Sequence, residues 1–395
     1  MKVAVLGVGT AGIMSLCHAL RWLCPKDSTV TSIYDPKFPI LGIGETSQPG
    51  FQTLLFESTG FTFLDDADKL DATIKLGGMW KNWRDDDFNA CLTAPSYAIH
   101  FNNFKLKEFC FSRFNKKYQS KFLVSEGNID SITNAGTCVL VVVDGIEYQY
   151  DYVIDCRGYP TDLSEYYVVE TPTVNSALVN IINEPGTWNA TVNQATKNGW
   201  MFGLPLQTRQ GWGYLYNDKL TTKEEAIKDI EEIFNKENIE LKEFKFNSYH
   251  ANTFFDGRIL KNGNRAFFFE PIEGQAGFFY EIALRYLVDY VYGQCSVADV
   301  NRHLLDAAKD LELFINFIYH GGSKFQTTYW SHISKVAREK LNNNEKWNYI
   351  VSTVNNYLKF GGQEPPTNTI GRWSVHHWKM WDKKLGYNYF YDKNI

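Results

Sequence analysis

The segment Lys2-Val-Ala-Val-Leu-Gly7-Val-Gly-Thr-Ala-Gly12, at the start of the 395-residue chain, decides the fold class. Its apolar run predicts a buried β-strand, its glycines a tight turn, and residues 13–23 a helix that ends near Pro25. A second apolar run, Thr29–Tyr34, ends at Asp35. The chain therefore opens with a predicted strand, helix and strand, the unit on which parallel sheets are built.

The glycine turn has the spacing of a dinucleotide-binding loop. In this pattern Gly7 permits the turn, Gly9 lets the backbone approach a pyrophosphate, and Gly12 allows the helix to pack closely. The helix N-terminus adds N–H donors for the phosphates. Asp35, at the end of the second strand, is placed to accept a hydrogen bond from a ribose hydroxyl. The pattern predicts a bound dinucleotide, and by itself it leaves FAD and NAD equally open.

Composition and charge exclude several classes of protein. Hydrophobic residues at 44% and charged residues at 22% are ordinary for a globular chain, and a net charge of −5 gives no electrostatic reason for nucleic-acid binding. The longest apolar runs are far shorter than the roughly 20 residues that cross a bilayer, and the N-terminus lacks a signal-peptide pattern. We therefore expect a cytoplasmic protein without a membrane span. Seven cysteines and eight histidines show no zinc-ligand spacing, so no metal site is expected.

Local signals also predict the organisation of the rest of the chain. Asp144-Gly145 between two apolar runs is typical of a β-hairpin. Thr222-Lys-Glu-Glu225 is a capping-box pattern that opens an amphipathic helix, and Ser296 precedes a longer helical pattern. The last hundred residues are predicted to be helical, and the first three hundred mix strands and helices.

Five further segments follow the glycine turn in a characteristic order, and together they resemble the flavin-dependent halogenases, specifically the tryptophan-halogenase-like branch. The resemblance covers much of the chain and makes FAD, rather than NAD, the expected dinucleotide. The segments are Leu41-Gly-Ile-Gly-Glu-Thr-Ser-Gln-Pro49, Ala72-Thr-Ile-Lys75 followed by Asn82-Trp83, Asp151-Tyr-Val-Ile-Asp-Cys-Arg-Gly158, the aromatic block 199–214, and Phe269-Glu-Pro-Ile-Glu273.

The resemblance implies a reaction and two catalytic residues. In the family, reduced FAD, O2 and a halide ion generate hypohalous acid, which halogenates an electron-rich aromatic compound. The position of Lys75 implies that it guides the oxidant, either as an ammonium group that donates a hydrogen bond or as an amine that carries the halogen. Glu273 would stabilise the cationic intermediate or accept the ring proton. A small aromatic substrate and a separate flavin reductase are the implied partners, and a homo-oligomer stays open.

The resemblance also assigns further site residues. The segment 41–49 matches the strap that lies along the flavin in the family, and Gln275 and Ala276 fall where the family contacts the halide. Trp200, Phe202 and Pro205 match the wall between flavin and substrate, although core packing is an equally open role for the two aromatic side chains. The implied cofactor-binding residues are Gly7, Gly9, Thr10, Ala11, Gly12, Asp35, Gly42, Gly44, Glu45, Ile129 and Gly277.

Three departures from the family pattern affect the site. Gly274-Gln-Ala276 replaces Ser-Thr-Gly after the catalytic glutamate, which leaves the preferred halide open. The segments 263–270 and 83–97 are both shorter than in the family, and the shorter second segment favours a more open pocket. Phe202 also replaces a tryptophan.

The expected fold is α/β. A Rossmann-type FAD-binding module is predicted over residues 1–295, with a substrate-facing sheet at about 163–255, and a helical subdomain over 296–395. Two other functions stay open at this point: a flavin-dependent aromatic monooxygenase, and a non-catalytic FAD-binding protein.

Overall fold

A computed structural model describes residues 1–25, 27–38, 40, 42, 45–92 and 96–390, without the side chain of Glu273. The described strands are β1 (Lys2–Leu6), β2 (Thr29–Tyr34), β3 (Glu45–Thr46), β4 (Thr73–Lys75), β5 (Gly77–Lys81), β6 (Phe88–Cys91), β7 (Ala98–Phe101), β8 (Phe122–Glu126), β9 (Ile129–Asn134), β10 (Val139–Val143), β11 (Ile146–Tyr150), β12 (Tyr152–Asp155), β13 (Tyr166–Val168), β14 (Ser176–Ile182), β15 (Thr191–Ala195), β16 (Trp200–Pro205), β17 (Gln210–Tyr216), β18 (Lys242–Lys245), β19 (Tyr249–Ala251), β20 (Ile259–Lys261) and β21 (Phe267–Phe268). The described α-helices are α1 (Thr10–Trp22), α2 (Gly50–Thr59), α3 (Phe63–Asp66), α4 (Asn103–Tyr118), α5 (Lys223–Phe234), α6 (Ala276–Val291), α7 (Val297–Tyr319), α8 (Thr328–Asn342), α9 (Glu345–Phe360) and α10 (Val375–Leu385).

A five-stranded parallel sheet forms the nucleotide-binding core, in the order β20-β12-β1-β2-β8. β1 is buried over residues 3–6, as expected for a central parallel strand covered on both faces. Strands β1 and β2 are joined by α1, so the predicted strand–helix–strand unit is confirmed. The carboxyl ends of parallel strands form the edge where α/β proteins bind ligands.

A seven-stranded sheet forms the second layer, in the order β18-β14-β17-β16-β15-β5-β6. Five of its strands fall within the predicted range 163–255, whereas β5 and β6 come from residues 77–91. β15 recruits β5 through parallel pairing, with Thr191 opposite Gly78. This pairing over a long sequence separation was not predicted, because it leaves no local pattern. The domain limits at 295 and 296 stay predictions.

The three-stranded sheet β3-β7-β4 lies at the centre of the candidate site. Its middle strand, β7, pairs antiparallel with β3 on one side and with β4 on the other. His100 stands opposite Thr46 in the first pair and opposite Thr73 in the second. The short strand that ends at Lys75 is therefore joined, through one intervening strand, to the segment that follows residue 44.

Helices α7 to α10 confirm the predicted helical C-terminus, and α10 packs on β5 and β6 of the seven-stranded sheet. Ser296 caps α7 in a capping box with Asp299, and Thr222 caps α5 in the predicted box. The hairpin predicted at Asp144-Gly145 is also present, between β10 and β11. Aromatic residues make up 16% of the chain, and some of them pack where the helices meet the sheet, as in the contacts of Trp80 with Trp381 at 5.0 Å and Trp83 with Trp330 at 5.2 Å. In the part of the chain that the structure describes, no helix is long and apolar enough to cross a membrane.

Candidate active site

The glycine turn is shaped by close backbone contacts. Gly7 has φ +95°, and a Cβ there would lie 2.6 Å from the carbonyl oxygen of Cys156. A Cβ at Gly12 would lie 2.1 Å from the Gly7 carbonyl oxygen. Gly9 is different, since no described heavy atom lies within 4 Å of its Cβ position. Gly7 and Gly12 are therefore required for packing, whereas Gly9 borders open space at the N-terminus of α1, as a phosphate-approaching glycine should.

A narrow cleft beside this turn fits the flavin prediction. It is lined by Thr10 on α1, Gly277 in the first turn of α6, and the segment 46–48. The hydroxyls of Thr10 and Thr46 are buried and have no hydrogen-bond partner among the described residues. A bound ligand would satisfy both groups, because buried hydroxyls in folded proteins are normally hydrogen-bonded. These residues would hold FAD, which the donor-rich N-terminus of α1 also favours.

The other predicted cofactor residues occupy varied environments. Asp35 follows β2, where its carboxylate accepts the Lys37 backbone N–H at 2.8 Å, and Ile129 begins β9 partly buried against the parallel sheet. Position 42 requires a glycine, because a Cβ there would lie 2.0 Å from the ring of Phe104. Ala11 is buried in the first turn of α1. Gly44 lies outside the described residues.

Lys75 ends β4 in a buried position, with only 4% of its surface exposed. Its side-chain nitrogen, Nζ, donates to the carbonyl oxygen of Ser47 at 3.5 Å. The same nitrogen would lie 3.7 Å from a Cβ atom placed on the backbone of Gly274. Lys75 therefore spans from the strap segment 45–49 to the turn that contains residue 273.

The turn at Ile272–Gly274 is a short 3-10 element that leads into α6. Gln48 donates its side-chain amide to the Gly274 carbonyl oxygen at 3.1 Å, so the strap and the turn are in direct contact. The backbone of Glu273 belongs to this turn, but the structure does not describe its side chain. Gln275 is the N-cap residue of α6, and Ala276 is its first residue. Both predicted halide residues therefore stand at the positive end of a 16-residue helix dipole.

Burial changes the acidity of two further groups near the strap. Burial raises the pKa of Glu45, on β3, from its ordinary value of 4.5 to about 7. His100 is fully buried, and its pKa is held well below the ordinary range, first by burial and second by the charge of Lys75. The described residues contain no group of three or more His, Cys, Asp or Glu that could hold a metal.

Comparisons with known proteins identify the family of this site. The tryptophan halogenase family model matches residues 2–122 and 86–357. The chain belongs to the tryptophan halogenase family. Tryptophan 7-halogenase RebH from Lentzea aerocolonigenes is 21% identical over an alignment of length 422, gaps included, which covers 83% of this chain and 78% of that protein. Tryptophan 6-halogenase ThaL from Streptomyces albogriseolus is 20% identical over an alignment of length 423, gaps included, which covers 83% of this chain and 78% of that protein.

Solved structures of halogenases share the whole architecture. The tryptophan halogenase from Shewanella frigidimarina superposes with a TM-score of 0.82 at 17% identity, over 100% of this chain and 90% of that chain. BrvH, a flavin-dependent halogenase from Brevundimonas sp. BAL3, superposes with a TM-score of 0.79 at 15% identity, over 98% of this chain and 89% of that chain. The resemblance and the α/β fold predicted from the sequence are both confirmed. As a member of this family, the protein is a flavin-dependent halogenase, an enzyme of the oxidoreductase type.

The predicted wall residues of the halogenase occupy two environments. Trp200 is fully buried in the main hydrophobic core, and Phe202 is partly buried with its ring over Gly213. Pro205 is buried at the end of β16, where its carbonyl oxygen accepts the hydroxyl of Thr73 at 2.7 Å. Pro205 thus contacts the strand of Lys75 directly. The two aromatic residues keep the alternative of core packing, and their place in a tunnel stays a prediction.

The structure adds residues that the sequence did not single out for the site. Thr73, Ser47 and Gln48 all contact the Lys75 region, and His100 packs against the same strand. Ser47 and Gln48 were within the strap motif, but nothing in that motif shows which atoms face the lysine. Thr73 lies two residues before Lys75, so strand alternation could have placed the two on the same face.

Proposed function

We propose that this halogenase uses reduced FAD, O2 and a halide ion to halogenate an electron-rich aromatic compound such as an indole, phenol or pyrrole, with hypohalous acid guided to Lys75. The relatives' names support an aromatic substrate, since RebH and ThaL are both tryptophan halogenases. The observation that carries the proposal is the position of Lys75 between the Ser47 carbonyl and the Gly274 turn.

The proposed division of labour follows from these positions. The cleft lined by Thr10 would hold FAD, which as FADH2 would, together with the halide, reduce O2; the halide would be oxidised to hypohalous acid and the second oxygen atom would leave as water. Lys75, buried and reaching the strap, is the proposed group that holds this neutral oxidant by a hydrogen bond or carries its halogen. Glu273, one residue before the Gly274 contact, is the proposed acceptor of the ring proton. Exclusion of water by the buried surroundings would keep the oxidant from escaping.

The first turn of α6 is the proposed halide site. Helix N-termini present backbone N–H groups without intrahelical partners, together with the positive end of the helix dipole. Gln275 and Ala276 stand at that end, and the Gln48–Gly274 hydrogen bond joins it to the strap. Anion binding there needs no Ser-Thr-Gly sequence, because the backbone supplies the donors.

The assay supplies purified protein with FAD, a separate flavin reductase, NADH, one halide and a panel of aromatic compounds, and follows the products by mass spectrometry. Incorporation of a halogen is the expected result. A gain of one oxygen would instead show an aromatic monooxygenase. Unchanged compounds with FAD bound would support the non-catalytic alternative for the panel tested, and a panel that includes free tryptophan tests the activity named for the relatives.

A further inference from the structure

His100 lies between the strand of Lys75 and the seven-stranded sheet. Its ring is fully buried, and both ring nitrogens have a partner. Nδ1 lies 3.2 Å from the hydroxyl of Thr73, and Nε2 lies 3.0 Å from the hydroxyl of Thr191. The first partner is on β4 with Lys75, and the second begins β15.

The hydrogen bonds identify the tautomer of this histidine. Thr73 has one hydroxyl proton, and it donates that proton to the Pro205 carbonyl oxygen at 2.7 Å. The His100 Nδ1 must therefore carry a proton and donate it to Thr73. A neutral ring then accepts at Nε2, so Thr191 is the donor on that side. The chain of bonds runs in one direction, from Thr191 through His100 and Thr73 to Pro205.

Electrostatics favour the same neutral state. A protonated ring would place a second positive charge in the buried region of Lys75, and both burial and that lysine lower the pKa of His100. A protonated ring would also donate from Nε2 to the Thr191 hydroxyl, so that Thr191 could no longer be the donor of this hydrogen bond. His100 therefore adds directional hydrogen bonds to the site and no charge.

The two threonines are held to different degrees by the rest of the fold. Thr73 begins a strand of three residues that pairs only with β7 among the described strands. Thr191 belongs to a strand of the seven-stranded sheet that has a partner on each side, β16 and β5. The hydrogen bond between His100 and Thr73 can therefore affect the position of the strand that carries Lys75, whereas the hydrogen bond to Thr191 cannot.

We infer that His100 is a positioning residue that aligns the strand of Lys75 with the Pro205 wall through the Thr73 hydroxyl. This inference rests on the proposed role of Lys75. A misplacement of about 1 Å at a reacting group can cost about 100-fold in rate, so a hydrogen-bonded alignment of the lysine strand matters for function. His100 itself touches neither cofactor nor oxidant in this proposal.

A matched pair of variants tests the inference. Thr73→Val and Thr191→Val each remove one hydroxyl, keep a similar shape, and leave one ring nitrogen of His100 without its partner. Thr73→Val should lower the thermal midpoint more than Thr191→Val, because it also removes the hydrogen bond to the Pro205 carbonyl oxygen. Only Thr73→Val should lower the halogenated product formed per FADH2 oxidised, by at least about tenfold, whereas Thr191→Val should stay within about twofold of the native enzyme.

Two substitutions of His100 test which of its two hydrogen bonds is needed for activity. The amide of His100→Asn lies near the position of Nδ1 and can still donate to Thr73, whereas that of His100→Gln reaches the position of Nε2 and Thr191. We expect His100→Asn to keep product per FADH2 within about threefold of native, and His100→Gln to lose at least about tenfold.

A second readout does not depend on halogenation. Acetic anhydride acylates accessible amines, and mass spectrometry of the peptide containing Lys75 gives its relative rate. We expect acylation of Lys75 to change at least about threefold in Thr73→Val and His100→Gln, and to match the native protein in Thr191→Val and His100→Asn. Equal effects of Thr73→Val and Thr191→Val on acylation would overturn the positioning role. Absence of halogenation in the native protein would instead overturn the proposed function, and the acylation result would still stand.

Discussion

The Nζ atom of Lys75 lies 3.5 Å from the carbonyl oxygen of Ser47, which places the buried lysine directly against the strap. The strap is in turn bonded to the turn at Gly274 through Gln48. Lys75 thus lies where two segments meet beside the proposed flavin cleft, although Gln48 and Gly274 are 226 residues apart in sequence. Under the proposed function, the strap would lie between the flavin cleft and Lys75.

Replacing Lys75 should uncouple the two halves of the reaction. In Lys75→Ala we expect product formation to fall by about 10²–10⁴-fold, the usual contribution of a positioned acid or hydrogen-bond donor, while FADH2 oxidation continues. Product is measured by mass spectrometry and flavin oxidation by absorbance. Lys116→Ala, at an exposed position on α4, is the control and should change neither rate. Loss of flavin oxidation together with product would assign Lys75 to the flavin site.

The halide site at the start of α6 should favour weakly hydrated anions. Removing water from an ion costs free energy, and the cost is smaller for larger halides. With backbone N–H groups near Gln275 and Ala276 as the proposed donors, we expect bromide or iodide to support at least as much product as chloride. Equimolar halides compete in one reaction, and the isotope patterns of the products give the ratio. A strict preference for chloride would contradict this site.

The sequence predicted those parts of the molecule that local signals determine. The glycine turn, the capping boxes at Thr222 and Ser296, and the hairpin at Asp144-Gly145 each depend on residues close together in the chain, and all are present. The motif around Lys75 was informative because the family resemblance could be tested residue by residue.

Contacts between distant segments could not be predicted in the same way. The pairing of β5 with β15 moved residues 77–91 into a sheet predicted at 163–255. Gly42 matched a flavin motif, but the structure shows that Phe104 is the side chain that excludes a Cβ there. The ring of His100 is bonded to Thr73 and Thr191, from two strands, and Thr73 is bonded in turn to Pro205; no spacing in the sequence brings these residues together.

Replacing Gly9 by alanine should weaken FAD binding, whereas replacing Gly12 by alanine should destabilise the fold. In Gly9→Ala the methyl group meets no described protein atom, so we expect unchanged stability and an FAD affinity at least about tenfold lower, which is about 1.4 kcal/mol. In Gly12→Ala the methyl group meets the Gly7 carbonyl, so we expect a loss of stability of about 1–3 kcal/mol.

Fluorescence titration with FAD and thermal unfolding separate these effects. Gly362→Ala is the control, because its Cβ position is also open and lies in the loop after α9, away from the turn. It should change neither quantity. Unchanged FAD affinity in Gly9→Ala would show that the pyrophosphate does not approach this glycine.

Glu270 should make the stability of the fold depend on pH. It is buried beside the proposed catalytic turn, where its carboxylate accepts the hydroxyl of Thr173, and burial raises its pKa from 4.5 to about 7. Between these two values the folded protein holds a proton that the unfolded chain releases. The contribution of Glu270 to stability is therefore full below about pH 4.5, falls as the pH rises, and is lost above about pH 7.

Glu270→Gln removes this titration and keeps an oxygen acceptor for Thr173. Relative to the native protein, we expect the variant to gain up to about 3 kcal/mol in free energy of unfolding between pH 4.5 and pH 8, measured by urea denaturation. Glu45 also has its pKa raised to about 7, so Glu45→Gln measured in parallel separates the two carboxyl groups. Parallel pH profiles of the native protein and Glu270→Gln would mean that Glu270 is ionised throughout, with its charge compensated inside the fold.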